Sequence, residues 1–282
     1  MPVSRGSLAI VTVAGVTAYD QAIAGIREQM SEGDVLDVHE EKRLRDVLNA
    51  PGLVLAIAVG SDAVAAFDRL APAALPVVKS MLLEWDLAGK SQQKRSCTAI
   101  TVDMQASTLV DELVRLFPTR TRLGAIRGPM QTESDIRVLE LAAHERGLIL
   151  KVVTCGEAKD LVNRFLQFKS AVDFVWCPPN PLLYSSATLK PLLVTSITNR
   201  LPVIAYSEQL VEAGALFGGA ADFREVGRMT AEVALRILQH EPVPAKLKAR
   251  KFHFAYNQRV ARLVDVKATG LEKHGQDLLI IR

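Results

Sequence analysis

An α/β chain built on parallel sheets and divided into two lobes is what this sequence predicts, and three observations carry that expectation. Short apolar runs of strand length, rich in Val and Ile and not alternating, recur along the chain, as in strands buried on both faces. Segments of helical period lie between them, and such alternation indicates β–α–β units with parallel pairing. At 282 residues the chain is long for one core and comfortable for two lobes of roughly 100–150 residues each.

The first strand is LAIVTV (Leu8–Val13) and the next clear one is LVLAIAV (Leu53–Val59). From Ser80 to Ser96 the chain reads SMLLEWDLAGKSQQKRS, with no clean period and a polar end, and CTAITVD (Cys97–Asp103) follows as a new strand. That stretch is expected to be the passage from the first lobe to the second. STLVDELVRLF (Ser107–Phe117) then places Leu109, Val110, Leu113, Val114 and Phe117 on one helical stripe, and RLGAI (Arg122–Ile126) is a strand. In ESDIRVLELAAHERG the residues Ile136, Leu139, Ala142 and Ala143 form an inner face, with Gly147 placed for a helix C-terminus. LILKVV (Leu148–Val153), VDFVW (Val172–Trp176) and LPVIA (Leu201–Ala205) are further strands. The helix expected within Leu183–Arg200 is less regular, because Pro191 must begin, kink or interrupt it.

GALFGGAADFREVGRMTAEVALRIL (Gly214–Leu238) joins a glycine-rich extended stretch to a strongly patterned helix. Asp222 can cap that helix, with Glu225 completing a capping box, and Val226, Met229, Val233, Ile237 and Leu238 supply its apolar stripe. Glycines in extended backbone imply bends, or close approach of another backbone or a ligand. The alternatives at Gly218 and Gly219 are an ordinary glycine-rich loop or a hinge, the latter if the helix returns to pack on the first lobe.

Composition narrows the function classes. Hydrophobic residues are 49% and charged residues 23%, and 34 basic against 31 acidic side chains leave +3. No Lys/Arg cluster is interleaved with aromatics, so nucleic acid is not an expected partner; KLKARK (Lys246–Lys251) and KSQQKR (Lys90–Arg95) read as solvated loops. No apolar run reaches the ~18 residues of a membrane span. Met1–Gly6 leads at once into the first strand, with no secretory signal, so the chain is cytoplasmic or starts after a processed segment. Cys97, Cys155 and Cys177 are odd in number and form no CxxC pair; their default role is as small buried residues.

Catalytic patterns are missing from the sequence: there is no GxSxG elbow, HExxH pair, GxxxxGK[ST] loop or GxGxxG fingerprint. The five histidines share no ligand spacing, so no metal and no cofactor is expected. Cys177, beside two prolines at a strand end, is the one nucleophile to weigh, and it has no evident partner histidine. Catalysis is not the expected role.

The order of motifs resembles the ABC transporter substrate-binding proteins of periplasmic-binding-protein type I fold, in an uncharacterised or amino-acid-type branch. The similarity rests on ELVRLFPTRTRLGAIRGP, LAAHERGLIL, VDFVWCPPNPLLYSS, LPVIAYSE, GALFGGAADFREVGRMTAEVALRILQHEPVPA and FHFAYNQRVARL, from about Ser107 to Leu263. Before that, only the strand–helix order and GSDAV (Gly60–Val64) agree. The resemblance implies two Rossmann-like lobes in a Venus-flytrap architecture with three hinge crossings. The lobes would be residues 1–98 with about 218–245, and about 99–217 with 246–282. It further implies a small-molecule ligand such as an amino acid, a membrane permease as partner, and work outside the cytoplasmic membrane. A ligand-sensing domain of a signalling system is the alternative on the same fold. Where the family often has an Asp-Pro loop and a glycine-rich linker after the first lobe, this chain has EWDLAGKSQQKRSCT.

In open parallel sheets, ligands bind beyond the carboxyl ends of strands, where loops meet helix N-termini. That rule selects Gly15 after the first strand, and Gly60, Ser61 and Asp62 after LVLAIAV. It selects Ser80 after LPVVK, Pro129 and Met130 after RLGAI, and Asn180 after VDFVW. After LPVIA it selects Tyr206, Ser207 and Glu208. Thr17, Ser61 and Asn180 are equally readable as helix N-caps. Tyr206 offers a ring face and a hydroxyl, or else packs at a lobe edge. Glu208 suits an ammonium group or a helix N-terminus, and Asn180 is neutral where the family frequently has Asp. Aromatics are only 5% of the chain, which argues against an extensive stacking cage.

Overall fold

The computed structural model describes residues 7–31, 33–87, 97–271 and 277–282. In chain order the elements begin β1 (Ser7–Thr12), α1 (Thr17–Gln29), β2 (Asp34–Asp37), α2 (Glu41–Leu48), β3 (Leu53–Val59), α3 (Ser61–Leu70), β4 (Val77–Leu82), α4 (Glu84–Leu87) and β5 (Cys97–Thr101). They continue with α5 (Ala106–Leu116), β6 (Arg122–Arg127), α6 (Glu133–Glu145), β7 (Ile149–Thr154), α7 (Leu161–Leu166), β8 (Phe174–Trp176), α8 (Ser186–Thr198), β9 (Val203–Ala205) and α9 (Glu208–Ala213). The chain closes with β10 (Phe217–Ala221), α10 (Phe223–Leu238), β11 (Lys246–Lys248), β12 (Phe252–Asn257), α11 (Gln258–Leu263) and β13 (Leu278–Ile281).

These elements form two compact units. One comprises the described residues up to Asp103 together with Ala221–Lys251, and the other comprises Met104–Ala220 with Phe252–Arg282. The first contains a six-stranded sheet, ordered β11-β5-β4-β3-β1-β2, and the second a seven-stranded sheet, ordered β13-β12-β10-β9-β8-β6-β7. Every pair of the first sheet is parallel. In the second, parallel pairing runs from β10 to β7 and joins β12 to β13.

In the first unit, Ala9, Val11, Ala56, Ala58 and Val77 face Leu44 and Leu48 of α2 and Val64 and Phe67 of α3. Helix α10 packs on the sheet and along α1. At that crossing Gly25 and Gly227 let the backbones meet: a Cβ on Gly227 would overlap the Ala22 carbonyl. In the second unit one core centres on Phe165, Phe168, Val175, Leu192 and Val203. Another gathers Phe117, Phe174, Phe217, Phe254 and Tyr256, with ring centroids 5.1–6.3 Å apart. The few aromatics are thus concentrated in this unit's interior.

Several sequence expectations are met locally. Gly147 takes φ +74° just past α6, and Leu148 N–H reaches back to the Ala143 carbonyl. Asp222 caps α10 by accepting from Glu225 N–H at 3.0 Å. The capping box is not closed by Glu225, whose carboxylate turns to Arg228 instead. Helix α8 runs through Pro191 rather than breaking there. Both Pro191 and Ala187, whose carbonyl loses its partner, are exposed, so water can take the freed acceptor.

Other expectations change. Cys97–Thr101 does not open a second sheet: β5 pairs with β4 in the first, and the division falls at Asp103 rather than after residue 98. Likewise Lys246–Lys248 is an edge strand on β5, so the later boundary lies at Lys251 rather than near residue 245. The loop reading of Lys246–Lys251 therefore gives way to a strand over Lys246–Lys248, while Lys90–Arg95 lies outside the described residues. Gly218 and Gly219 are buried inside β10 rather than in a loose linker. A Cβ on Gly218 would stand 2.5 Å from the Ala205 carbonyl oxygen, and one on Gly219 2.6 Å from the Phe254 ring. Close approach of neighbouring strands is what these glycines serve.

Candidate functional site

Toward the carboxyl end of the first sheet three residues take positive φ. Strand β1 runs into exposed Gly15 at φ +79° and β3 into Gly60 at φ +93°, and β4 holds Met81 at φ +60° just before its last residue. Met81 is the notable one, since a bulky residue at positive φ is strained and strain of this kind clusters at functional positions. The N-cap of α1 is Val16 and that of α3 is Gly60, and neither supplies a side-chain bond. Thr17 and Ser61 are first helical residues rather than caps, and Asp62 is exposed in the first turn of α3. The early N–H groups of both helices therefore have no side-chain acceptor from the cap position.

The Ala14 N–H, by contrast, donates to Asp37 Oδ2 at 2.8 Å, and His39 N–H donates to Asp37 Oδ1 at 2.7 Å. Those two backbone donors, His39 first, hold the Asp37 carboxyl below its usual range. Gly60 makes room for Tyr19, whose phenolic oxygen would lie 2.5 Å from a Cβ there. Tyr19 was not singled out by its sequence context; its offset into α1, opposite a strand-end glycine, is the signal that marks it.

Ser80 has a structural role. It is fully buried, and its hydroxyl lies 2.6 Å from Thr230 Oγ1 of α10. Thr230 donates in turn to the Val226 carbonyl, which leaves Ser80 as donor to Thr230. The pair pins α10 to β4. Asp103, two residues past β5, accepts from Glu84 N–H at 2.8 Å. Burial first, then the neighbouring Glu84 charge, pushes its carboxyl up to about 6 against the bonds it receives. Glu84 itself is held between Lys246 at 2.9 Å and Lys248 at 3.2 Å.

In the second unit, the loops after β6 and β8 are tied into one network. Asn180, only 1% exposed, donates to Gln131 Oε1 at 3.0 Å, and Gln131 donates to the Pro179 carbonyl at 2.9 Å. Gly128 N–H also reaches Gln131 Oε1, at 3.1 Å, and Asn180 Oδ1 accepts from Leu182 N–H. Asn180 therefore braces its own loop, and Gln131 is the partner that sequence inspection missed. Pro129 remains exposed beside it and Met130 half-buried.

Past β9, Tyr206 is half-buried, its ring centroid 6.1 Å from that of Tyr184. Ser207 caps α9 by accepting from Leu210 N–H, and Glu208 is the first residue of that short helix. The Tyr184 hydroxyl is enclosed near the Cys177 thiol; burial raises both, Cys177 to about 12. A thiol so protonated is no nucleophile at neutral pH. Among the described residues no three His, Cys, Asp or Glu side chains are grouped to hold a metal ion, and no helix is long and apolar enough to cross a membrane.

Two buried side-chain hydroxyls, Thr12 and Thr101, find no hydrogen-bond partner among the described residues, and the buried Tyr184 hydroxyl meets the Cys177 thiol. Thr12 ends β1, Thr101 ends β5, and Tyr184 lies in the loop past β8. All three sit toward carboxyl ends of strands.

Residues 16–269 match the model of the family described as ABC transporter substrate binding protein. The chain belongs to that family. A tyrosine-binding protein of Clostridioides difficile (strain R20291) is 27% identical over 135 residues, which is 47% of this chain and 39% of that relative. The chain thus matches well under half of that relative's length. Among solved structures, a substrate-binding protein with adhesive properties from Clostridium difficile, in ligand-free open form, superposes with TM-score 0.78. It is 14% identical and is covered over 99% of its length by 98% of this chain. An ABC domain in complex with L-Trp from Streptococcus pneumonia gives TM-score 0.63 at 14% identity, covering 99% of this chain and all of that one. A periplasmic ribose ABC transporter protein from Conexibacter woesei gives 0.58 at 10% identity, over 93% and 95%. The family binds substrates for ABC permeases and is not a family of enzymes, and the fold is the type I periplasmic-binding-protein fold.

Proposed function

We propose that this protein is the solute-binding component of an ABC-type importer, working outside the cytoplasmic membrane and delivering to a permease. Its solute is an amino acid or a similarly small organic molecule, gripped in an interlobe cleft by hinge closure. The contacts come from Gly15, Gly60, Ser61 and Asp62 in the first unit, and from Pro129, Met130, Tyr206, Ser207 and Glu208 in the second. Gly218 and Gly219 precede one of the crossings that would flex. The observation that carries this reading is that, in the first unit, the unpaired buried hydroxyls of Thr12 and Thr101 and the positive-φ Gly15, Gly60 and Met81 all lie toward strand carboxyl ends. Polar groups left without partners inside a protein are the ones a ligand can complete. The tyrosine-binding relative and the L-Trp complex favour an amino acid among small solutes.

A thermal-shift screen over amino acids, purines, pyrimidines and small organic acids tests it. One class should raise the melting temperature by several degrees at saturating concentration, since a ligand at about 100 times its Kd adds roughly 2.7 kcal/mol. A flat response across the panel would remove the solute-binding reading.

A further inference from the structure

We propose that Gln131 is a positioning residue for solute binding in the second unit. Its amide locks the turn that carries Pro129 and Met130 to the loop that leads to Tyr184 and, through it, to Tyr206. This role rests on the reading above, which takes Pro129, Met130 and Tyr206 as solute contacts, and adds the group through which all three are held.

The turn after β6 is closed from both sides by this one residue. Gln131 N–H donates to the Gly128 carbonyl at 3.2 Å, and Gly128 N–H donates back to Gln131 Oε1 at 3.1 Å. Pro129 and Met130 occupy the two central positions between them, the first of which suits the fixed φ of proline. The same side chain crosses to the loop after β8. There its Nε2 donates to the Pro179 carbonyl at 2.9 Å, and its Oε1 accepts from Asn180 Nδ2 at 3.0 Å. The two loops meet without slack, since a Cβ on Gly128 would lie 2.2 Å from Asn180 Nδ2. Further along, the Asn180 carbonyl accepts from Tyr184 N–H at 3.0 Å, and the Tyr184 ring stands 6.1 Å from that of Tyr206, past β9. One amide therefore couples three strand-end loops.

Every polar atom of the two amides has a partner, because Asn180 Oδ1 accepts from Leu182 N–H. A network satisfied in this way rigidifies what it joins. Loops that are ordered only part of the time bind more weakly, by the fraction of molecules that hold the right arrangement. Removing the Gln131 amide leaves the Pro179 carbonyl and the Asn180 amide without partners and frees both loops.

Calorimetric titration of the full chain with L-tyrosine and with L-tryptophan, alongside thermal melts without ligand, tests this role. Gln131→Met keeps the length of the side chain and none of its bonds. It should weaken whichever amino acid the wild type binds by about ten-fold, the loss expected when about one molecule in ten holds the loops correctly. Gln131→Glu keeps an acceptor for Gly128 and Asn180 but, when ionised, has no proton for the Pro179 carbonyl. At pH 8 it should lose affinity to a similar extent. At pH 4.5, close to the ordinary glutamate value of about 4.3, its carboxyl takes up a proton and donates again. The gap to wild type at the same pH should then narrow by about three-fold or more. If Gln131→Met does not fold, the pH comparison decides alone. A purely structural brace would lower the melting temperature and leave the affinities unchanged. That outcome, or a Gln131→Glu gap that ignores pH, overturns the inference while solute binding stands. A wild type that binds neither amino acid overturns it together with the amino-acid reading.

Discussion

Asp103 shows how one residue sets a pH response. Its folded carboxyl is pushed up to about 6 by burial and then by Glu84, against an ordinary value near 3.9 in the unfolded chain. The folded state therefore holds its proton more tightly, and stability falls as pH rises from about 4 to about 6 and stays reduced above. The upper bound on that loss is roughly 3 kcal/mol. Asp103→Asn keeps an acceptor for Glu84 N–H without the charge. Denaturant melts at pH 8 should find the variant more stable by about 1–2 kcal/mol, and the gap should close near pH 4; equal stability at both pH values would refute the assignment. Residue positions at strand ends were legible in the sequence, because apolar runs mark where strands stop. Their roles were less so. Ser80 lies at the expected strand end, yet its partner Thr230 is 150 residues away, a distance no local pattern reveals. Tyr19 becomes meaningful only once β1 and β3 are neighbours and Gly60 faces it.

At the scale of elements, α10 is the piece on which the first unit depends. It enters from the second unit, caps itself with Asp222, crosses α1 at Gly25 and Gly227, and ties to β4 through Thr230. Its apolar stripe was plain from Val226, Met229 and Val233, since a 3.6 period survives in any context. Its glycine crossing was not, because backbone contact leaves no hydrophobic signature. Gly227→Val should destabilise the protein by about 3 kcal/mol or more in denaturant melts, since the Ala22 backbone has nowhere to retreat. An unchanged midpoint would mean that the helices do not cross there. Sheet membership was the weakest sequence inference for the same reason. CTAIT has strand composition wherever it goes, and only pairing with Val77–Leu82 places it in the first sheet. Short edge strands such as Lys246–Lys248 carry too few apolar residues to announce themselves.

For the whole molecule, a net +3 comes with extensive pairing of basic by acidic side chains. The basic run near Lys246 is answered residue by residue: Lys246 and Lys248 by Glu84, Arg250 by Glu232, Lys251 by Asp222. Positive potential does not accumulate over such pairs. The α/β class and family were readable from motif order over most of the chain, and residues 16–269 match the family. The most direct test of solute capture at the strand carboxyl ends is a calorimetric titration of wild type and Tyr206→Ala with the solute that most raises the melting temperature. Loss of a half-buried aromatic contact should weaken binding by about ten-fold or more. Identical affinities for the two proteins would contradict the proposed site.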